Sequence, residues 1–180
     1  MATLDRVTAA PDHHAIVIVG MSGVGKSAAG RMLAHRQGRR FVDLDTEIER
    51  RAGERITDLF AAGGEAHFRD VESEALEAVL AEPAGLVVST GGGVVLRGEN
   101  RDLLATAPAT VVWLDAAVTT LESRVGSGTG RPMLAGDVPG RLQSLDDERR
   151  QLYAAVAHHV VTTDQRTVND VVEAITEVVS

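Results

Sequence analysis

Short apolar runs of strand length recur along this chain, at Ala15–Val19, Arg40–Val42, Leu86–Ser89, Thr110–Leu114 and His159–Val161. Between them the apolar residues thin out into the mixed pattern of half-buried helices. That pattern predicts helices near Lys26–Gln37, Thr46–Ala52, Thr57–Ala61, Glu65–Ala81, Arg101–Ala105, Ala117–Val125, Arg141–Ala157 and Val168–Val178. Strand and helix alternate from end to end, which implies βαβ units and a parallel sheet. Right-handed crossovers then put helices on both faces. The expected fold is three-layer α/β/α around a central five-stranded parallel sheet. One segment breaks the alternation: Gly126–Gly140 is rich in Gly and Pro and carries a lone Arg131. A loop of that length inside a compact domain reads as a functional lid. Residues 1–14 read as a disordered leader, leaving 15–180 as one expected domain.

The first strand leads into Gly20-Met21-Ser22-Gly23-Val24-Gly25-Lys26-Ser27, and a helix follows at once. Strand, glycine-rich loop and helix with the spacing G-x-x-x-x-G-K-S form a phosphate-binding loop. Glycines let backbone N–H groups curl around a phosphate, and the new helix adds the positive end of its dipole. Gly23, Val24, Gly25, Lys26, Ser27 and Ala28 are the expected phosphate ligands. Lys26, placed in a solvent-facing loop, reaches the outer phosphates, and the Ser27 hydroxyl can ligate Mg²⁺. Lys26 is also the only lysine among 18 basic side chains. A compact ammonium on a flexible stem is kept only there.

Composition narrows the partners. The net charge of −8 supplies no basic excess for nucleic acid. The 44% hydrophobic content supports a core, and with 3% aromatic residues that core is aliphatic. No cysteine is present, which removes disulfides and thiolate metal sites and fits a reducing cytoplasm. No apolar run approaches membrane-spanning length, and no apolar stretch before Ala15 reads as a secretory signal. The expected state is a cytoplasmic monomer.

Further candidates cluster where ligands sit in parallel sheets, beyond the carboxyl ends of the strands. Asp43 and Asp45 lie two apart, so an extended chain points both carboxylates to one side. One could hold Mg²⁺ or its water, the other a substrate hydroxyl. Alternatively Asp45 caps a helix starting at Thr46 and Asp43 is a turn residue. Arg69 follows Phe68 and can pair with Glu65 or Glu72 on its own helix. Gly91-Gly92-Gly93 ends the third strand and lets backbone approach a ligand closely. Asp115, after Val111-Val112-Trp113-Leu114, resembles a metal aspartate but comes late, and reads as a strand-end or capping residue. The pairs His13-His14 and His158-His159 lack ligand spacing and read as structural or surface residues.

Taken in order, Gly20–Ser27, Phe41-x-Asp43-x-Asp45, Gly64-Glu65-x-x-Phe68-Arg69, Thr90-Gly91-Gly92-Gly93 and Arg131-Pro132-x-Leu134 resemble the shikimate kinase family, from about Ala15 to Val178. The resemblance implies a nucleoside-monophosphate-kinase-like P-loop fold that transfers the ATP γ-phosphoryl group to the 3-hydroxyl of shikimate, with Mg²⁺. It implies Ser27 and Asp43 at the metal, Asp45 on the substrate hydroxyls, and Lys26, Asp45 and Arg131 as the catalytic set. Substrate contacts would come from Asp45, Arg69, Gly91, Gly92, Gly93 and Arg149, although the usual proline is here Gln151, which leaves Arg150 as an alternative to Arg149. Arg124, with Arg166 and Val168, would form the adenine site; Val168 stands where the family has proline. Two other readings are a gluconate kinase, which shares the fold and the phosphate loop, and a nucleotide-binding module without transfer activity.

Overall fold

The computed structural model describes residues 14–82, 85–125 and 138–180. Five strands form one parallel sheet in the order β2-β3-β1-β4-β5: β1 Ala15–Val19, β2 Arg40–Asp43, β3 Leu86–Ser89, β4 Ala109–Asp115 and β5 His159–Thr162. The central β1 and its neighbour β3 are buried along their whole length, and both are almost wholly aliphatic, because helices cover both faces. The described helices are α1 Lys26–Gln37, α2 Leu44–Ala52, α3 Ile56–Leu80, α4 Gly98–Thr106, α5 Val118–Val125, α6 Val138–Val156 and α7 Val168–Val179. Helices α1 and α7 pack together, as do α5 and α6, and α4 and α6 contact β4. The expected three-layer fold is therefore the observed one, with the strand ends of β2, β4 and β5 running one residue further.

Several helical boundaries differ from those expected, α4 and α6 starting early at Gly98 and Val138, and other features of the helices have local reasons. Thr57–Ala61 and Glu65–Ala81 join into α3, and the break survives as a kink at Gly64, whose φ of 71° and ψ of −167° only glycine adopts without strain. Helix α2 begins at Leu44, two residues early, because Asp43 is its cap and accepts from Thr46 N at 3.4 Å. Helix α7 starts on a capping box that the sequence reading passed over, Thr167 and Asp170 bonding each other's backbone N–H. The expected leader, except His14, and most of the expected lid, including Arg131, lie outside the described residues.

Register decides where chemistry can gather. Asp43, the last residue of β2, pairs with Ser89, the last of β3, and Ile18 of β1 is level with the same Ser89. The phosphate loop, the aspartates and the triple-glycine turn thus leave the sheet side by side at one edge.

Candidate active site

The site is built from three neighbouring clefts at the carboxyl edge of the sheet. The middle one, of about 350 Å³, is lined by Ser22, Gly23 and residues 25–28 of the phosphate loop, with Asp45, Gly91, Gly92 and Arg124 at its sides. Helix α1 opens there at Lys26, its first turn of N–H groups aimed toward the cleft end. Lys26 is not the solvent-facing residue expected: it is 8% exposed. Its Nζ donates to the carbonyls of Gly20 at 2.7 Å and Met21 at 2.9 Å. The loop folds over its own lysine, which keeps the ammonium at the loop's centre, within the phosphate cleft.

Ser27 Oγ donates to Asp43 Oδ2 at 2.7 Å and lies 3.2 Å from Ser89 Oγ. This is a hard, all-oxygen donor set that fits Mg²⁺. Asp43 and Asp45 are close enough for their carboxylates to interact, but of the two it is Asp45 that lines the clefts. The chain turns helical at Leu44, so Asp43 is the cap and Asp45 belongs to the first turn of α2, the reverse of the capping role expected of Asp45. Asp45 stays open to the clefts while crowded by protein elsewhere. Burial raises its pKa, the neighbouring Asp43 carboxylate adds to the rise, and Lys26 and Arg69 oppose it.

One flank is a cleft of about 330 Å³ between α2, α3, the glycine turn and α6. Its apolar wall includes Phe60 and Phe68, stacked with centroids 4.7 Å apart, with Met21 and Leu145. Its polar wall carries Asp45, Arg69, Glu72 and Arg149. Arg69 has the pairing on its own helix that its neighbours allowed. The guanidinium donates to Glu72 at 2.6 Å and Glu65 at 3.1 Å, and it also lines the cleft. Glu72 is wholly buried, and burial pushes its carboxyl up against the pull of Arg69.

The structure separates Arg149 from Arg150. Arg149 is buried and lines the cleft, with a 3.4 Å contact to Glu148. Arg150 points the other way, donating to both oxygens of Asp115 at 3.2 and 3.0 Å and to Asp146 at 3.0 Å, over the ring of Trp113. Asp115 is thus the strand-end residue expected, held by an arginine. The backbone N–H of Ala117 beyond it is capped instead by Asp164, at 3.1 Å.

The opposite flank, about 210 Å³, is lined by Gly23, Val24, Gly25, Arg124, Arg166 and Val168, among others. Arg124 is steered there by two bonds to Thr163, 2.8 Å to Oγ1 and 2.7 Å to the carbonyl. All the described residues expected at adenine therefore meet beside the phosphate loop. His158 is structural: its Nδ1 accepts from Val111 N at 2.9 Å. Among the described residues no cluster of histidine and acidic side chains has the form of a metal site, and no helix is long and apolar enough to cross a membrane. The sequence reading missed Tyr153, Thr57 and Glu49. The last two line the cleft beside the glycine turn, Glu49 from α2 and Thr57 from α3, without any motif of their own.

Comparison with known proteins agrees with this geometry. A family model described as Shikimate kinase matches residues 22–180. A shikimate kinase of Symbiobacterium thermophilum is 48% identical over 165 residues, 90% of this chain and 94% of that one. One of Salinispora arenicola is 44% identical over 151 residues, covering 84% and 89%. Among solved structures, a shikimate kinase from Acinetobacter baumannii in complex with shikimate superposes with a TM-score of 0.87 at 35% identity, covering 92% of each chain. A gluconokinase from Sinorhizobium meliloti 1021 reaches only 0.57 at 21% identity, a likeness of fold alone. With its phosphate loop, paired aspartates and glycine turn at one sheet edge, and with relatives matched over nearly its whole length, this chain belongs to the shikimate kinase family.

Proposed function

We propose that this protein transfers the γ-phosphoryl group of ATP to the 3-hydroxyl of shikimate, giving shikimate 3-phosphate and ADP. One observation carries the reading: Asp45, Gly91 and Gly92 line both the acceptor-side cleft and the phosphate cleft, so the two open onto each other at those residues. An acceptor hydroxyl in the first cleft meets a terminal phosphate in the second there.

ATP lies with its base between Arg124, Arg166 and Val168 and its phosphates on residues 23–28. Ser27 and Asp43 are the residues that would hold Mg²⁺, which when bound neutralises phosphate charge. The planar carboxylate of shikimate is gripped by the guanidinium forks of Arg69 and Arg149, a geometry lysine cannot reproduce. Asp45 and the Gly92 backbone orient the ring hydroxyls. The 3-hydroxyl oxygen forms the new bond to phosphorus as the bridging bond to ADP breaks, and its proton passes to Asp45, whose raised pKa suits a base. Lys26 and Arg131 steady the transferring charge, Arg131 from outside the described residues. Catalysis is then positioning and electrostatics. A cytoplasmic site of action accords with the absence of cysteine.

A coupled ADP-release assay tests the proposal. Release is expected with shikimate and not with gluconate. Preference for gluconate would make the chain a different sugar-acid kinase. Nucleotide binding without release on either acceptor would make it a binding module.

A further inference from the structure

Tyr153, on α6, is the only tyrosine in the chain and is wholly buried. Its ring stacks on Trp113 of β4, with centroids 5.8 Å apart, in a core that is otherwise almost entirely aliphatic. Phenylalanine would pack there as well. A phenol oxygen in such a place costs stability unless it is hydrogen-bonded, and this one is bonded on several sides. It donates to the carbonyl of Gly92 at 2.5 Å. It lies within bonding reach of the Arg149 guanidinium, one turn back on the same helix. The thioether of Met21, in the phosphate loop, is 3.9 Å away.

Those three neighbours belong to three different parts of the site. The glycine turn has no side chains with which to anchor itself. Its Gly91 and Gly93 carbonyls accept backbone N–H groups from Val94 and Leu96, at 3.3 and 3.0 Å. The Gly92 carbonyl takes the phenol instead, so each carbonyl of the turn is committed. Burial raises the phenol pKa well above its ordinary value, so the hydroxyl keeps its proton, and hence its donor, at any working pH.

We propose that Tyr153 is a positioning residue of the transfer reaction: its hydroxyl holds the Gly92 turn and the Arg149 guanidinium in fixed relation to the phosphate loop, and so sets the distance between acceptor hydroxyl and terminal phosphate. The inference rests on the shikimate reading above. An acceptor misplaced by about 1 Å can cost about a hundredfold in rate, and among the described residues it is the Tyr153 hydroxyl that bonds the middle carbonyl of the turn.

The test is Tyr153→Phe, assayed beside the wild type at varied shikimate and varied ATP. The expected result is a loss of about tenfold or more in kcat/KM for shikimate, with the KM for ATP within about twofold. Unchanged kcat/KM for shikimate, or a rise in the KM for ATP as large as the loss in kcat/KM for shikimate, would overturn the proposal and leave Tyr153 a core residue. Should the variant not fold, biosynthetic replacement of tyrosine by 3-fluorotyrosine labels this one position without removing the hydroxyl. Its ¹⁹F resonance should move as shikimate is added, and an unmoved resonance at saturation overturns the proposal. A wild type inactive on shikimate defeats the functional reading and this inference with it; an active wild type with an unimpaired Tyr153→Phe defeats the inference alone.

Discussion

Gly93 lies flat against the guanidinium of Arg69: a methyl group at position 93 would stand 2.2 Å from Nη2 and 2.4 Å from Cζ. The arginine has little room to withdraw, being buried and tied to Glu72 and Glu65. The third glycine of the turn is there for space, so that a planar cation can face the cleft.

Gly93→Ala should therefore displace Arg69 and break its pairing with Glu72. The KM for shikimate is expected to rise about tenfold or more, in line with the roughly 1.5–3 kcal/mol of a charge-assisted bond. The KM for ATP should be unchanged. Steady-state kinetics on both substrates check this, and an unaltered shikimate KM would mean the cation does not serve the acceptor.

Adjacent arginines on α6 should behave oppositely. Arg149→Ala removes a buried cation from the cleft wall and should raise the shikimate KM strongly. Arg150→Ala removes partly exposed pairs to Asp115 and Asp146, for a stability loss of at most about 1 kcal/mol and no change in KM. Denaturant titration and kinetics on the two variants separate the roles, and a swapped outcome would reassign the clamp.

Asp45→Asn should trade activity for stability. Turnover is expected to fall by ~10²–10⁴-fold, the range for loss of a general base. The native pKa of Asp45 is raised by burial first and Asp43 second, so the folded state holds the proton more tightly than the unfolded chain. Wild-type stability from this group is then fully present below the ordinary aspartate pKa and is lost as pH rises through the raised native one. The asparagine variant lacks that loss, so its melting temperature should overtake the wild type's across the same window. Parallel melting curves at acid and neutral pH would contradict the assignment.

Lys26→Ala should abolish most transfer and, because the lysine is buried, also loosen the loop. Losing its bonds to the Gly20 and Met21 carbonyls should cost about 1–3 kcal/mol. Phosphoryl-transfer rate and urea midpoint measure the two effects independently. Turnover close to wild type would remove Lys26 from the mechanism.

Local pattern sufficed for most of the architecture. The aliphatic runs at Ala15–Val19 and Leu86–Ser89 read as buried parallel strands because a sheet covered on both faces leaves no polar side to alternate with. The phosphate loop was legible because its function is carried by backbone geometry that a short glycine spacing specifies, and α1 follows it directly. Gly64 betrayed the break in α3 because no other residue fits its dihedrals.

The order of residues along the chain determined which groups reach the sheet edge; only the tertiary structure decided what each one does there. Strand alternation suggested that Asp43 and Asp45 point together, but a helix begins between them, so Asp43 caps it and bonds Ser27 while Asp45 lies in its first turn and lines the clefts. Arg149 and Arg150 are indistinguishable by type and adjacent in sequence. A helix turns successive side chains by about 100°, so one faces the cleft and the other Trp113 and Asp115. Tyr153 carries no motif at all, since its partners Gly92 and Met21 lie 61 and 132 residues away. Contacts at such separations are made by packing the helices onto the sheet, and no local pattern can encode them.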